Sequence, residues 1–179
     1  MDLRSVLERV TRKLRDAGIE HALIGGLALA AHGVVRATAD LDLLVDGGRS
    51  DDVHRILTGL GYDCLHRSEH AANYASDDPE QGRVDFLFAR REYGRAMLLR
   101  ARPDATRPDD SLPVVDAADL IGLKVQASSN NPGRRRLDLA DIQRLLECAP
   151  EVDFVRVREY FRLFDREQEL ESLLEAIRQ

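Results

Sequence analysis

The sequence predicts an α/β fold, in which a mixed β-sheet flanked by helices is followed by a helical C-terminal part. Over the first two thirds of the chain, short apolar segments typical of strands alternate with amphipathic segments typical of helices. From residue 116 onward, the apolar residues recur only at helical spacing. This order fits an α/β core over residues 1–115 and a helical region over residues 116–179.

The elements before residue 116 follow in order. Apolar residues from Leu3 to Ala17 recur at helical spacing, and Gly18 can end that helix. Ser50 is a suitable N-cap for a later helix, which Gly61 ends. The other segments are predicted as a strand at 21–24, a short helix at 27–33, strands at 38–45, 62–65, 71–76 and 82–88, and then a short helix, an irregular segment and a short edge strand at 112–116.

The elements from residue 116 onward are predicted to be helices. Asp116 is a suitable N-cap for a helix that the segment "NNPG" (130–133) breaks. A second helix follows over "RRRLDLADIQRLLE" (134–147), and residues 152–178 are expected to form one or two more.

The composition argues against several classes of protein. The formal net charge of −6 is unfavourable for a general nucleic-acid-binding coat, although it leaves a local basic groove open. Cys64 and Cys148 are too far apart in sequence to indicate a disulfide scaffold or a zinc knuckle. The N-terminal segment is charged throughout, and the longest weakly polar run, residues 24–35, is too short to span a membrane. We therefore expect a cytoplasmic protein without a membrane segment.

Two acids on the apolar strand at 38–45 need an explanation, because burying an unpaired charge is costly. Asp40 and Asp42 are separated by one residue, so they face the same side of the strand, and Leu41, Leu43 and Val45 face the other. Two neighbouring carboxylates repel each other unless a positive charge lies between them. A divalent cation meets this requirement, since hard cations such as Mg²⁺ prefer oxygen ligands.

A third acid lies on the apolar strand at 82–88. Val84, Phe86 and Phe88 share one face, and Asp85 lies on the other, between Arg83 and Leu87. If the two strands are neighbours, Asp40, Asp42 and Asp85 converge as a two-metal centre for phosphoryl or nucleotidyl transfer requires. Taken alone, the pair Asp40 and Asp42 is more typical of a solvated edge strand than of a metal site, and Asp85 is consistent with an ion pair to Arg83 or Arg36.

A glycine pair lies between the strand at 21–24 and the next helix. Glycine lets the backbone approach a phosphate closely, and the free N–H groups at a helix N-terminus attract an anion. Gly25 and Gly26 are therefore candidates for holding a triphosphate opposite the metal. A glycine pair alone is usually just a turn. The specific feature is the order of strand, glycine pair, helix and acidic strand.

The segment "LIGGLALAAHGVVRATADLDLLV" (23–45) resembles the nucleotidyltransferase superfamily typified by DNA polymerase β. Within that superfamily, the likeness is nearest to the small bacterial AbiE-type toxins and related minimal nucleotidyltransferases. The shared pattern is a glycine pair, a helix, an Arg-x-Thr lead-in and an Asp-x-Asp strand, with a third carboxylate on a later strand. These positions are here Gly25, Gly26, Arg36, Thr38, Asp40, Asp42 and Asp85.

The resemblance implies an Mg²⁺-dependent enzyme that transfers an NMP group from a nucleoside triphosphate to an acceptor hydroxyl. The three acids would be catalytic and would hold two metal ions, and the other four positions would bind the nucleotide. The AbiE-type likeness further implies a toxin that acts on tRNA and has an antitoxin as its partner. The chain departs from the common pattern at Gly26, which replaces a serine whose hydroxyl often touches phosphate.

Three polar residues of the helical part fall on faces that we expect to be buried. Lys124 lies within the apolar face of the helix after Asp116, and Asp138 and Asp141 share one face of the next helix. In AbiE-type proteins, a helix lysine and a later Asp-x-x-Asp motif are associated with activity, which implies that Lys124 and Asp141, and less directly Asp138, act on the nucleotide. A structural ion-pair network between the two helices explains the same pattern.

Other functions remain open at this stage. A small-molecule nucleotidyltransferase of the antibiotic-resistance type shares the catalytic core and differs in its acceptor pocket. A degenerate domain that only binds a partner is consistent with the missing serine. If the acceptor is RNA, the arginines clustered at 90–107 and 134–136 are candidates for contacts with its backbone. A calcium loop around Asp40–Asp46 is disfavoured, because it lacks the glycine and glutamate of an EF-hand loop.

Overall fold

The computed structural model describes residues 2–103, 112–149 and 151–178 of the chain. The strands are β1 (His21–Leu23), β2 (Asp40–Asp46), β3 (Asp63–Arg67), β4 (Ala71–Ala75), β5 (Arg83–Ala89), β6 (Arg102–Pro103) and β7 (Pro113–Val114). The helices are α1 (Leu3–Asp16), α2 (Gly25–Ala31), α3 (Ser50–Gly59), α4 (Glu92–Arg100), α5 (Ala117–Asn130), α6 (Arg135–Cys148), α7 (Phe154–Arg162) and α8 (Glu167–Arg178).

The chain divides into two compact units. The first contains Met1–Ala28 and Arg36–Val115, and the second contains Leu29–Val35 and Asp116–Gln179. Helix α2 therefore begins in the first unit and ends in the second.

The first unit is built on one mixed sheet of seven strands in the order β3-β4-β5-β2-β1-β7-β6. Strand β2 pairs in parallel with β5 and antiparallel with β1, and β4 pairs antiparallel with both β3 and β5. Helix α1 packs against β2 and α3, and the side chain of Asp2 caps its first turn by accepting from the Arg4 N–H at 3.1 Å. This sheet with its helices confirms the predicted α/β class.

The two faces of the central strands β2 and β5 differ in burial. One face is apolar and buried, and its residues are Leu41, Leu43, Val45, Val84, Phe86 and Phe88. The opposite face carries Asp40, Asp42 and Asp85, which are half-buried. Alternation along the strands therefore separates a hydrophobic core from a polar face, as the sequence pattern predicts.

The second unit is helical, and its core lies between α5, α6 and α7. The large apolar side chains that are fully buried here include those of Ile121, Val125, Ile142, Leu145, Val157 and Phe161. Gly122 lets α5 approach α7 closely, because a Cβ at this position would lie only 2.6 Å from a ring atom of Tyr160. None of the helices within the described ranges is both long and apolar enough to cross a membrane.

Several element boundaries differ from those predicted. Strand β2 begins at Asp40 rather than at Thr38, and every residue of β3 is exposed. The short strand predicted at 112–116 is β7, which lies between β1 and β6 and not at the edge of the sheet. Its partner at the edge, β6, has only two residues and no apolar pattern that would have predicted it. Part of the predicted irregular segment, residues 104–111, lies outside the described residues, as does Arg107 of the first arginine cluster.

Candidate active site

Asp42 and Asp85 lie directly opposite each other on neighbouring strands. The parallel pairing of β2 with β5 aligns their Cα atoms, so both carboxylates project from the same face of strands that are about 4.8 Å apart. Asp40 lies on the same face two residues before Asp42, opposite Arg83. The strand adjacency that a three-carboxylate site requires is therefore present.

The glycine turn between β1 and α2 lies against Asp42. The Ile24 N–H donates to the Asp42 carbonyl at 3.1 Å, which ties the end of β1 to β2. Gly25 has a φ of +63°, and a Cβ built on it would lie 2.5 Å from Cγ and 2.6 Å from Cβ of Asp42. Only glycine fits here, because it tolerates the left-handed conformation and leaves room for the Asp42 side chain.

Thr38 explains why position 26 is a glycine. A Cβ built on Gly26 would lie 2.6 Å from both Cβ and Oγ1 of Thr38. The Thr38 hydroxyl, which donates to the Asp40 carbonyl at 3.3 Å, therefore occupies the space into which a serine at position 26 would project. The serine hydroxyl of the common pattern is absent, and a threonine hydroxyl lies beside the same turn.

Arg36, the other position taken from the resemblance, is half-buried. Its Nη1 donates to the Ala37 carbonyl at 3.2 Å.

The residues on the polar face suit a hard cation. Within the described residues, no three His, Cys, Asp or Glu side chains are close enough to hold a metal ion as they stand. The potential donors Asp40, Asp42 and Asp85 offer only carboxylate oxygens, which Mg²⁺ prefers. Oδ1 of Asp85 is buried and has no hydrogen-bond partner within residues 2–103, 112–149 and 151–178, and such an oxygen is costly unless a ligand satisfies it.

The sequence model of the aminoglycoside-2''-adenylyltransferase family matches residues 6–109. The chain belongs to this family. It is therefore a nucleotidyl-transfer enzyme, and the predicted likeness to the nucleotidyltransferase superfamily is confirmed. The matched range includes the glycine turn and all three aspartates of the polar face. The nearer likeness to AbiE-type toxins stays a prediction.

Solved structures of nucleotidyltransferases share the fold of this family member. The antibiotic-resistance factor ANT(2'')-Ia is 15% identical, with a TM-score of 0.57 over 99% of this chain and 91% of that one. It has also been solved with adenylyl-2''-tobramycin. The lincosamide adenylyltransferase LnuA, with lincomycin bound, is 14% identical, with a TM-score of 0.58 over 81% of this chain and 97% of that one.

A nucleotidyltransferase-like protein from Paracoccidioides brasiliensis is 15% identical, with a TM-score of 0.54 over 96% of this chain and 92% of that one. At these identities the likeness concerns the fold alone. No curated protein matches the sequence.

Outside the part that the family model matches, Lys124 forms a buried ion-pair network within the second unit. Its Nζ lies 2.6 Å from Oδ2 of Asp141 and 3.3 Å from Oδ1 of Asp138, and only the second contact has hydrogen-bond geometry. Lys124, Asp138 and Asp141 are 7%, 0% and 4% exposed, and Arg134 reaches Asp138 at 3.7 Å. The network joins α5 to α6. Nucleotide binding by Lys124 and Asp141 stays a prediction.

Two features of this adenylyltransferase-family chain were not found from sequence. Asp119 on α5 is fully buried, accepts from the Tyr160 hydroxyl at 2.8 Å and lies 3.6 Å from Arg156. Its signal was an acid in the apolar first turn of a predicted helix. Asn73 on β4 lies directly opposite Asp85, on the polar face. Its sequence signal was a polar residue between Ala72 and Tyr74, which is ordinary for a half-exposed strand.

Proposed function

We propose that this protein transfers an adenylyl group from ATP to a hydroxyl of a small, amine-bearing acceptor of the aminoglycoside class. The observation that carries the proposal is the row of Asp42 and Asp85 on one face of the sheet, with the Gly25 turn packed against Asp42. The family match supports the adenylyl group and the acceptor class.

Asp40, Asp42 and Asp85 are the residues that would hold Mg²⁺. When bound, the ion neutralises the carboxylates and the phosphates and polarises the reacting phosphoryl group. Two ions are the number that the superfamily likeness implies, and this number is part of the proposal.

Asp85 would take the proton in the transfer step. The acceptor oxygen attacks the α-phosphorus of ATP, the bond from that phosphorus to the pyrophosphate oxygen breaks, and the acceptor proton passes to the Asp85 carboxylate. Asp85 suits this role, because one of its oxygens accepts no hydrogen bond from the residues that the structure describes. Gly25, Gly26, Arg36 and Thr38 would hold the nucleotide on the Asp42 side, with the Thr38 hydroxyl in place of the missing serine. Positioning and charge stabilisation would supply most of the catalysis.

The charge of the chain and the contacts of its arginines favour a small cationic acceptor over tRNA. The formal net charge is −6, which repels a polyanion. Among the arginines predicted to contact RNA, Arg134 and Arg135 form ion pairs with Asp138 and Glu169, at 3.7 and 2.6 Å. Arg90 donates to the Glu69 carbonyl at 2.9 Å. Transfer to tRNA, with an antitoxin partner, remains the alternative prediction.

A labelled-transfer assay tests the proposal. Each α-labelled nucleoside triphosphate is incubated with Mg²⁺, the protein and one acceptor, either tobramycin, lincomycin or bulk tRNA, and the products are separated. We expect adenylyl label on tobramycin and none on tRNA. Label on tRNA alone would replace the proposal with the toxin alternative, and no label from any nucleotide would overturn it.

Asp42→Asn with a matched control shows whether the transfer uses the proposed site. Asp46 lies on the same strand and face as Asp42 but outside the row, and accepts from the Gly48 N–H at 3.0 Å, which asparagine can also do. We expect Asp42→Asn to lose transfer by at least about 10²-fold, as is typical when a key charged group is removed from an active site. Asp46→Asn should stay near wild type. Equal activity of the two variants would mean that the site lies elsewhere.

A further inference from the structure

The polar face of the sheet extends beyond the acids to strand β4. The registers of β2, β5 and β4 align three rows across this face. The outer rows are Asp40–Arg83–Ala75 and Leu44–Leu87–Ala71, and the middle row is Asp42–Asp85–Asn73. Asp85 is therefore flanked by Asp42 on one side and by the amide of Asn73 on the other.

The two sides of Asp85 differ in what surrounds them. On the Asp42 side, the Gly25 turn packs against the aspartate so closely that no side chain fits at position 25. On the Asn73 side, the neighbours of Asn73 along the same face are Ala71 and Ala75, which are half-exposed. Ala71, Asn73 and Ala75 have short side chains, so they form a shallow strip of the sheet surface next to Asp85. A ligand group can lie on this strip and still reach the Asp85 carboxylate.

Asn73 is also held at a fixed position. Strand β4 is paired on both sides, with β3 and with β5, so the backbone of Asn73 cannot shift freely. The next residue, Tyr74, is fully buried on the reverse face, where its hydroxyl lies 3.2 Å from Nδ1 of His54 and its ring packs edge-on against Phe86. A side chain on such a rigid strand can position a ligand accurately.

We propose that Asn73 binds the acceptor and positions its reacting hydroxyl over Asp85. An amide both donates and accepts hydrogen bonds, so it can form a hydrogen bond with a hydroxyl or an amine adjacent to the reacting hydroxyl on the same ring. The acceptor would lie along the strip of Ala71, Asn73 and Ala75, and the nucleotide would lie on the Asp42 side. Asn73 would thus select acceptors that carry two neighbouring polar groups. This inference rests on the proposed function.

The test compares Asn73→Ala with Asn130→Ala, an exposed asparagine at the end of α5. Losing one hydrogen bond to the acceptor is expected to lower kcat/KM for the acceptor about tenfold. KM for ATP and Tm should stay unchanged, because Asn73 is placed away from the nucleotide. Two aminoglycosides that differ by one hydroxyl next to the reacting one should give different kcat/KM values with the wild type and with Asn130→Ala. Asn73→Ala should give similar values for both.

The outcomes separate this inference from the proposed function. If the wild type adenylylates an acceptor and Asn73→Ala keeps both its kcat/KM and its discrimination between the paired acceptors, this inference is wrong and the proposed function stands. Equal losses toward ATP and acceptor would mean that Asn73 is only structural, and would also overturn it. If Asn73→Ala lowers Tm, Asn73→Thr, which suits a strand, is judged by the same two criteria. If the wild type modifies no acceptor, both proposals fall.

Discussion

Replacing Gly25 by alanine is expected to damage both stability and nucleotidyl transfer, because the new methyl group would collide with Asp42. The left-handed conformation of Gly25, with φ +63°, costs an alanine about 1–2 kcal/mol. The new Cβ would also lie 2.6 Å from the Asp42 Cβ, whereas carbon atoms in contact are normally about 3.5–4.0 Å apart. Rotating the carboxylate cannot relieve an overlap with Cβ, so the turn or strand β2 must move by about 1 Å. Overpacking of this kind costs about 1–3 kcal/mol more.

Gly18→Ala is the matched control for the free-energy cost of the left-handed backbone conformation. Gly18 has a φ of +64°, and a Cβ built on it has no atom of the described residues within 4 Å. This variant should therefore lose only the conformational part, about 1–2 kcal/mol, and keep its activity. Gly25→Ala should lose about 2–5 kcal/mol in total. It should also transfer label about 10²-fold more slowly, since a shift of about 1 Å in a reacting group has an effect of that size.

A double-mutant cycle isolates the contact between Gly25 and Asp42. The second change is Asp42→Gly, because Asp42→Ala would keep the Cβ that causes the overlap. In the Asp42→Gly background, Gly25→Ala should cost only the backbone term, as measured by urea unfolding. If Gly25→Ala costs no more than Gly18→Ala and retains full transfer activity, the close packing of the turn against Asp42 is not the reason for the glycine.

Two further predictions concern buried groups. Lys124→Met removes the cation that buried Asp138 and Asp141 share and should cost about 3–5 kcal/mol in urea unfolding. Arg4→Met breaks the exposed pair with Glu8 and should cost less than about 1 kcal/mol, and equal costs would contradict the burial argument. Burial holds the pKa of His21 below 6.5 while its Nδ1 bonds the Ile19 carbonyl at 2.7 Å. Because the unfolded chain then binds a proton first, stability should fall as the pH drops below 6.5, and His21→Gln should reduce this fall. If the free energy of unfolding falls equally with pH in the wild type and in His21→Gln, His21 is not the cause of the fall.

Much of the fold could be predicted, because its periodic signals are local. Alternation along β2 and β5 separates the acids from most of the apolar residues within each strand, and the helices of the second unit follow their apolar spacing. The same physics made the acids conspicuous, since charges on apolar strands require a partner. The two-residue strand β6 has no such pattern, and neither the position of β7 between its neighbours nor the exposure of β3 follows from local sequence.

The missing parts of the site depend on contacts between distant segments. Strands β2 and β5 are neighbours in the sheet, although β3 and β4 lie between them in the sequence. The sequence could therefore suggest the alignment of Asp42 with Asp85 but could not establish it. The sequence suggested a phosphate-binding role for Gly26, whereas the structure adds a steric reason in Thr38. Asn73 carried no charge or motif, and its position beside Asp85 follows only from the strand register.

We propose above that Asp85 receives the acceptor proton in an adenylyl transfer, and replacing its carboxylate tests this role most directly. Asp85→Asn keeps the shape of the side chain but removes its basicity, so single-turnover transfer should fall by about 10²–10⁴-fold, the usual contribution of general base catalysis. Binding of ATP, measured by calorimetry in Ca²⁺ to prevent turnover, should change by less than about tenfold, because two of the three carboxylates remain. Transfer at the wild-type rate by Asp85→Asn, with a flat pH–rate profile in both proteins, would mean that Asp85 does not take the proton.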